Sequence, residues 1–191
     1  MGSPSGVRLT LASASPRRLA LLKQIGVEPD EVAPTHIDET PKPGETPKPL
    51  ADRLAREKAL ASDADGIVLA ADTVVGVGRR ILPKTETPEE AEACLRLMSG
   101  RAHQVHTGVA VRAPDGALSV RTVSTRVQFK RLTEDEIAAY IDSAEWRGVA
   151  GGYAIQGLAG AYVRGLSGSY TGVVGLPLFE TRALLEGVGW R

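Results

Sequence analysis

A chain of 191 residues with a formal net charge of zero is sized for one domain, or one domain with two lobes. The balanced charge excludes the broad basic surface that nonspecific nucleic-acid binding requires, yet leaves room for a small anionic ligand held by a local cationic cluster. A single cysteine, Cys94, excludes an internal disulfide and a thiolate zinc centre, and no stretch approaches the roughly 20 apolar residues of a membrane span.

In chain order, residues 1–6 (MGSPSG) lack the basic region and apolar run of a signal peptide and read as a short flexible tail, with the cytoplasm as the expected location. Residues 7–191 are then expected to form the folded unit. Val7 to Ala12 is a short apolar run of strand formers. Ser15-Pro16 reads as a helix cap with proline in the first turn; Leu19, Leu21, Leu22 and Ile25 give that helix its apolar face, and Gly26 ends it. Pro34 to Pro49 is a long loop of proline, threonine and charge. A helix is expected from about Pro49 to Ser62, with Leu50, Leu54, Ala55 and Ala59 on one face. Ile67 to Ala71 reads as a buried strand ending in Asp72, and Val74 to Leu82 as a hairpin around Gly78-Arg79-Arg80. Thr87-Pro88-Glu89-Glu90 is a capping box, and its helix runs to about Met98 and stops at Gly100. Cys94 sits among Ala93, Leu95 and Leu97 as a small buried side chain. Val105 to Ala113 and Ala117 to Phe129 read as strands joined at Asp115-Gly116. Thr133, with Glu136 after it, caps another helix. Gly148 to Gly160 is rich in glycine, Ala161 to Leu166 is strand-like, and Pro177 to Gly187 is a final amphipathic helix. Intermixed helices and strands with an antiparallel hairpin give an α/β fold with a mixed sheet.

Several places invite chemistry. Ser13, Ser15, Arg17 and Arg18 cluster at the turn into the first helix, where free N–H groups and the positive helix end attract anions. Cations at a helix N-terminus are mildly unfavourable, by about 0.3–1 kcal/mol each, so phosphate binding and an ordinary solvated cap compete as explanations. Asp72, at the end of a buried strand, stands where open α/β sheets place ligands, and can hold Mg²⁺ or polarise a water. A turn aspartate would look the same. Thr73 beside it is a strand residue or a ligand contact. Glu39, Lys58 and Lys84 are uninformative alone, and a solvated helix face is the plainer explanation of Lys58. GVAGGYAIQG and GSYTGVVGLPL let backbone approach a ligand or simply turn. Gln156 in the first tract offers an amide to a base edge. Neither tract is a Walker loop or a dinucleotide fingerprint. His36, His103 and His106 lack metal-ligand spacing, and His103 and His106 on one strand face opposite sides.

Together, LASASPRRLALL, RLAREKA, ADTVV, MSGRAHQVHTGVAV, GGYAIQG and GSYTGVVGLPLFET resemble the Maf family of nucleotide pyrophosphatases, in order from about Leu11 to Thr181. The resemblance implies a mixed, twisted sheet flanked by helices around a deep cleft, similar to the inosine triphosphate pyrophosphatases. It implies a single domain with two lobes, a homodimer, and dependence on Mg²⁺ or Mn²⁺. It also implies hydrolysis of a nucleoside triphosphate between the α- and β-phosphates, without a nucleic-acid or membrane partner. By position, Asp72 matches the general base, and Ser13, Arg18, Lys58 and Lys84 match residues on the triphosphate. Glu39 and Asp72 match the metal site, and Arg17, Thr73 and Gln156 match positions that set base preference. The branch resembling the 7-methylguanosine triphosphate enzymes tends to carry tryptophan, glutamine and glutamate at those last three. Arginine, threonine and glutamine point instead to dTTP and UTP, with modified pyrimidine nucleotides as a wider range. The chain departs from many members at Pro83-Lys84-Thr85, where Glu-Lys-Pro is common, and at Val149, where a lysine is common. The alternatives are a non-catalytic nucleotide-binding regulator of septum formation, which a pyrophosphate assay separates from the enzyme, and a pyrophosphatase for 7-methylguanosine triphosphate.

Overall fold

A computed structural model describes residues 6–190, so residues 1–5 of the expected tail lie outside the described residues. Its centre is one seven-stranded mixed sheet. Strand β1 (Leu9–Leu11) leads through helix α1 (Pro16–Gln24) to the short β2 (Glu31–Val32), which pairs parallel with β1. Helix α2 (Pro47–Leu60) crosses to β3 (Ile67–Val77), also parallel to β1. From β3 the pairing turns antiparallel, to β4 (Arg80–Leu82) across the Gly78-Arg79 turn and to β5 (Ala102–Arg112) on the other edge. β5 pairs with β6 (Leu118–Phe129), and β6 with β7 (Val163–Ser167). Helices α3 (Pro88–Met98), α4 (Glu134–Ser143), α5 (Tyr170–Val174) and α6 (Leu178–Gly187) complete the chain.

Local chemistry accounts for most of these boundaries. Thr87 and Thr133 each form a reciprocal capping box with the glutamate three residues on, which fixes the starts of α3 and α4. Helix α2 begins at Pro47 rather than Pro49. Both prolines fit, because the first-turn N–H groups have no intrahelical partner to lose. Helix α5 and strand β2 are short elements that no sequence period marks.

Strand β3 corrects one expectation. It does not end near Asp72 but runs unbroken from Ile67 to Val77, with Asp72 in its middle. The carboxylate is tolerated there because Lys58 of α2 neutralises it.

The sheet is covered on both faces. On one, α2 lays Ala55 and Ala59, both fully buried, against Val68, Ala70 and Ala110, and Ala51 beside Val74. The approach is so close that a Cβ on Gly108 would lie 2.3 Å from the Ala51 carbonyl oxygen. The opposite face carries two apolar clusters. One joins Leu9, Leu22, Leu69 and Leu185 under α1 and α6, and the other joins Leu95, Phe129, Tyr140 and Trp146 under α3 and α4. Cys94 is buried in the second cluster, where burial pushes its thiol up. Among the described residues, no helix is long and apolar enough to cross a membrane.

Candidate active site

The same edge of β3 is used by two strands that leave a gap between them. β1 pairs with Ile67–Leu69, and β4 with Val75–Val77. Residues 70–74 have no strand partner on that edge among the described residues. The chain leaves β1 at Ala12, whose N–H reaches the Leu69 carbonyl at 2.8 Å, and turns through Ser13 into α1. A cavity of about 500 Å³ opens at this gap. Ser13, Arg17, Arg18, Glu39, Lys58, Thr73 and Lys84 all line it, drawn from five separate stretches of sequence.

On the α2 face, charges alternate. Lys58 Nζ lies 2.5 Å from Asp72 Oδ1 and 2.7 Å from Glu39 Oε1, and Lys84 Nζ pairs with Glu39 Oε2. Asp72 is 1% exposed and sits beneath Lys58, which itself is 7% exposed and forms the cavity wall. Burial pushes the Glu39 carboxyl up, but hydrogen bonds and charge from Lys58 and Lys84 more than reverse this and hold it at about 2. Lys84 owes its place to Pro83-Lys84-Thr85, which pairs antiparallel with 148–151. Lys84 bridges Ala150, and Thr85 exchanges backbone bonds with Gly148 and Val149. Thr85, fully buried, also donates its hydroxyl to the Trp146 carbonyl at 2.7 Å. Val149 lines the cavity without adding charge.

On the other face, Arg18 reaches inward from α1. Nε donates to the Gly175 carbonyl at 2.9 Å, Nη1 to Ser13 Oγ at 3.0 Å and Nη2 to Thr73 Oγ1 at 3.5 Å. All these acceptors are neutral. Burial lowers the pKa of this guanidinium from its usual value; Asp72 and Glu39 oppose that, and Arg17 adds to it. Arg18 is half-buried, and a partly desolvated cation hydrogen-bonded to uncharged oxygens is stabilised by an incoming anion. Ser15 holds the N-cap position of α1 but makes no capping bond, and its own N–H goes to Ser13 Oγ at 3.2 Å. The first turn of α1 thus faces the cavity.

Two expected site residues do not line the cavity: Asp72 lies behind the Lys58 wall, and Gln156 is on the surface. Gln156 is exposed because the chain buries Tyr153, Ala154 and Ile155 and turns outward before Gly157. Its spacing in the glycine tract gave no sign of this. The sequence reading also missed His36, Arg147 and Tyr153 as lining residues. Arg147 lies 5.1 Å from the centroid of the Trp146 ring. Tyr153 places its hydroxyl 2.7 Å from Nε2 of buried His103, whose pKa burial pushes down to about 4. His106, on the opposite strand face, meets Ser124 at 2.8 Å. Aromatic scarcity was the one signal that could have marked Tyr153 in the sequence.

Among the described residues, no group of three or more His, Cys, Asp and Glu side chains gathers as a metal cluster. The carboxylates near the cavity are Glu39 and Asp72, already bridged by a lysine, and His36 lines it as well. That set fits a hard divalent ion that takes most of its ligands from phosphate and water, as Mg²⁺ does. It does not fit an ion held by protein alone.

The model of the family described as "Maf-like protein" matches residues 8–188. A protein of Maricaulis maris (strain MCS10) named "dTTP/UTP pyrophosphatase" is 64% identical over 185 residues, covering 96% of this chain and 89% of that protein. One of the same name from Hyphomonas neptunium (strain ATCC 15444) is 62% identical over 189 residues, covering 98% and 99%. Among solved structures, the Staphylococcus aureus Ham1 protein is similar with a TM-score of 0.45 and 19% identity, covering 64% of this chain and 71% of that one.

Proposed function

The chain belongs to the Maf family, and from that premise we propose that it hydrolyses dTTP and UTP to the monophosphate and pyrophosphate. The observation that carries this is the Asp72–Lys58–Glu39–Lys84 chain of alternating charges, which runs from beneath the cavity wall at Asp72 to its surface, in a cavity that Arg18 also lines. The names of the relatives supply the substrate.

A triphosphate carries about four negative charges near neutral pH. It competes with Glu39 and Asp72 for the lysines. As Lys58 and Lys84 turn to phosphate oxygens, both carboxylates lose their partners. Asp72 then takes a proton from water, and the water oxygen attacks the α-phosphorus in line. The bond from the α-phosphorus to the bridging oxygen breaks, and pyrophosphate leaves with its charge held by Arg18, Lys58 and Lys84. Positioning and charge stabilisation supply most of the acceleration, and no covalent intermediate is required. A divalent cation, Mg²⁺ or Mn²⁺, held by Glu39 and Asp72 together with the substrate, would supply Lewis-acid polarisation and neutralise phosphate charge. Arg17 and Thr73 are the lining residues proposed to meet the base.

The test is a screen of standard and modified nucleotides with purified protein, scoring pyrophosphate against orthophosphate. Pyrophosphate from UTP and dTTP is expected, and its loss with EDTA marks the metal requirement. Binding without pyrophosphate release would instead describe a nucleotide sensor. The proposed assembly is a homodimer in the cytoplasm, and light scattering on the purified protein reads its mass.

A further inference from the structure

Behind the cavity wall, one carbonyl fixes the direction of a chain of hydroxyl protons. Thr107, 1% exposed on β5, stands opposite Thr73 in the strand register. Its Oγ1 lies 2.7 Å from the carbonyl oxygen of Gly172 in α5. A carbonyl can only accept, so the single Thr107 proton is committed to it. The Thr73 and Thr107 hydroxyl oxygens are 3.0 Å apart, so Thr73 must supply the proton between them. The guanidinium Nη2 of Arg18, 3.5 Å from Thr73 Oγ1, can only donate. Thr73 therefore has lone pairs, and no hydrogen, for whatever enters the cavity.

Thr73 also stands at a boundary. Arg18 reaches it from α1 on one side, and the next residues on its strand face, Val75 and its partner Val105, continue the cavity lining as apolar side chains. A flat base belongs against valine and a phosphate tail against the cations, so a residue at the junction meets the edge of the base. We propose that Thr107 is a positioning residue that locks Thr73 as a hydrogen-bond acceptor, so that the site selects a pyrimidine with an N3–H donor, uracil or thymine, over cytosine. Cytosine presents an N3 lone pair, and two acceptors facing each other leave both unpaired. This rests on the pyrophosphatase reading above and gives it a physical basis for pyrimidine choice.

The experiment compares kcat/KM for UTP and CTP in the wild type, Thr107→Val, Thr107→Ser and Thr73→Val, with thermal melting as the check on folding. The wild type should prefer UTP by at least about tenfold. In Thr107→Val the Thr73 hydroxyl is free to rotate and donate, so CTP turnover should rise and the preference shrink to within about threefold. General damage to the fold would not raise activity on CTP. Thr107→Ser keeps the oxygen and should keep the preference. Should Thr107→Val not fold, Thr73→Val reads the same bond from its other end, and the preference should collapse by loss of UTP turnover alone. A UTP preference that survives Thr107→Val, or that survives Thr73→Val, overturns the inference and leaves the pyrophosphatase reading standing. A wild type that turns over UTP and CTP equally overturns it as well. A wild type that releases pyrophosphate from neither nucleotide removes that reading first and the inference with it.

Discussion

Asp72 and Thr73 are neighbours on β3, and strand alternation sends them to opposite faces of the sheet. Asp72 meets formal charge: Lys58 at 2.5 Å, then Glu39 and Lys84 beyond. Thr73 meets hydroxyls and one guanidinium, with Thr107 at 3.0 Å and Arg18 at 3.5 Å. The charged face is suited to a substrate that displaces ion pairs. The hydroxyl face is suited to one that matches a fixed donor–acceptor pattern. On the proposed reading, a single dipeptide would serve phosphate chemistry on one side of a sheet and base recognition on the other.

If that division holds, damage to the charged face should be large and indifferent to the base. Asp72→Asn keeps the shape and removes the proton acceptor. Turnover of UTP should fall by roughly 10²–10⁴-fold while nucleotide binding persists; single-turnover assays beside equilibrium binding would expose full activity, which ends the general-base role. Lys58→Met leaves Asp72 buried without its cation and should cost about 3–5 kcal/mol of stability, read by urea unfolding near neutral pH. A change under about 1 kcal/mol would mean water reaches Asp72 in the folded protein. Gly108→Ala forces the α2 backbone away from the sheet, since its Cβ would lie 2.3 Å from the Ala51 oxygen. A loss of about 1–3 kcal/mol is expected, with UTP turnover falling because Lys58 moves with the helix.

The smallest effect concerns acid. Glu39 titrates at about 2 in the folded protein against an ordinary 4.5. Between those values the unfolded chain binds more protons. The stability from Glu39 is therefore complete above about pH 4.5 and is lost as pH falls through about 2. Glu39→Gln should flatten that part of the stability curve and leave the slope above pH 5 unchanged. An identical acid limb in both proteins would show that the lysines do not hold Glu39 in solution.

Local signals carried much of this fold. Thr87-Pro88 and Thr133 with Glu136 announced α3 and α4, and Gly78-Arg79 announced the β3–β4 hairpin. Asp72 misled, because an acid after a continuous apolar run resembles a strand end, and its partner Lys58 lies a helix away in sequence. Thr107 carried no mark either; a threonine in a strand is ordinary until a carbonyl from α5 arrives beside it.

By itself the sequence determined the α/β class, the mixed sheet and the motifs of the Maf family, because caps, turns and apolar periods act within a few residues. Tertiary structure alone decided that Gln156 stays outside the cavity, that Asp72 lies beneath Lys58, and which way the Thr73 proton points. Those outcomes depend on distances between segments far apart in the chain, and local periodicity carries no information about such distances.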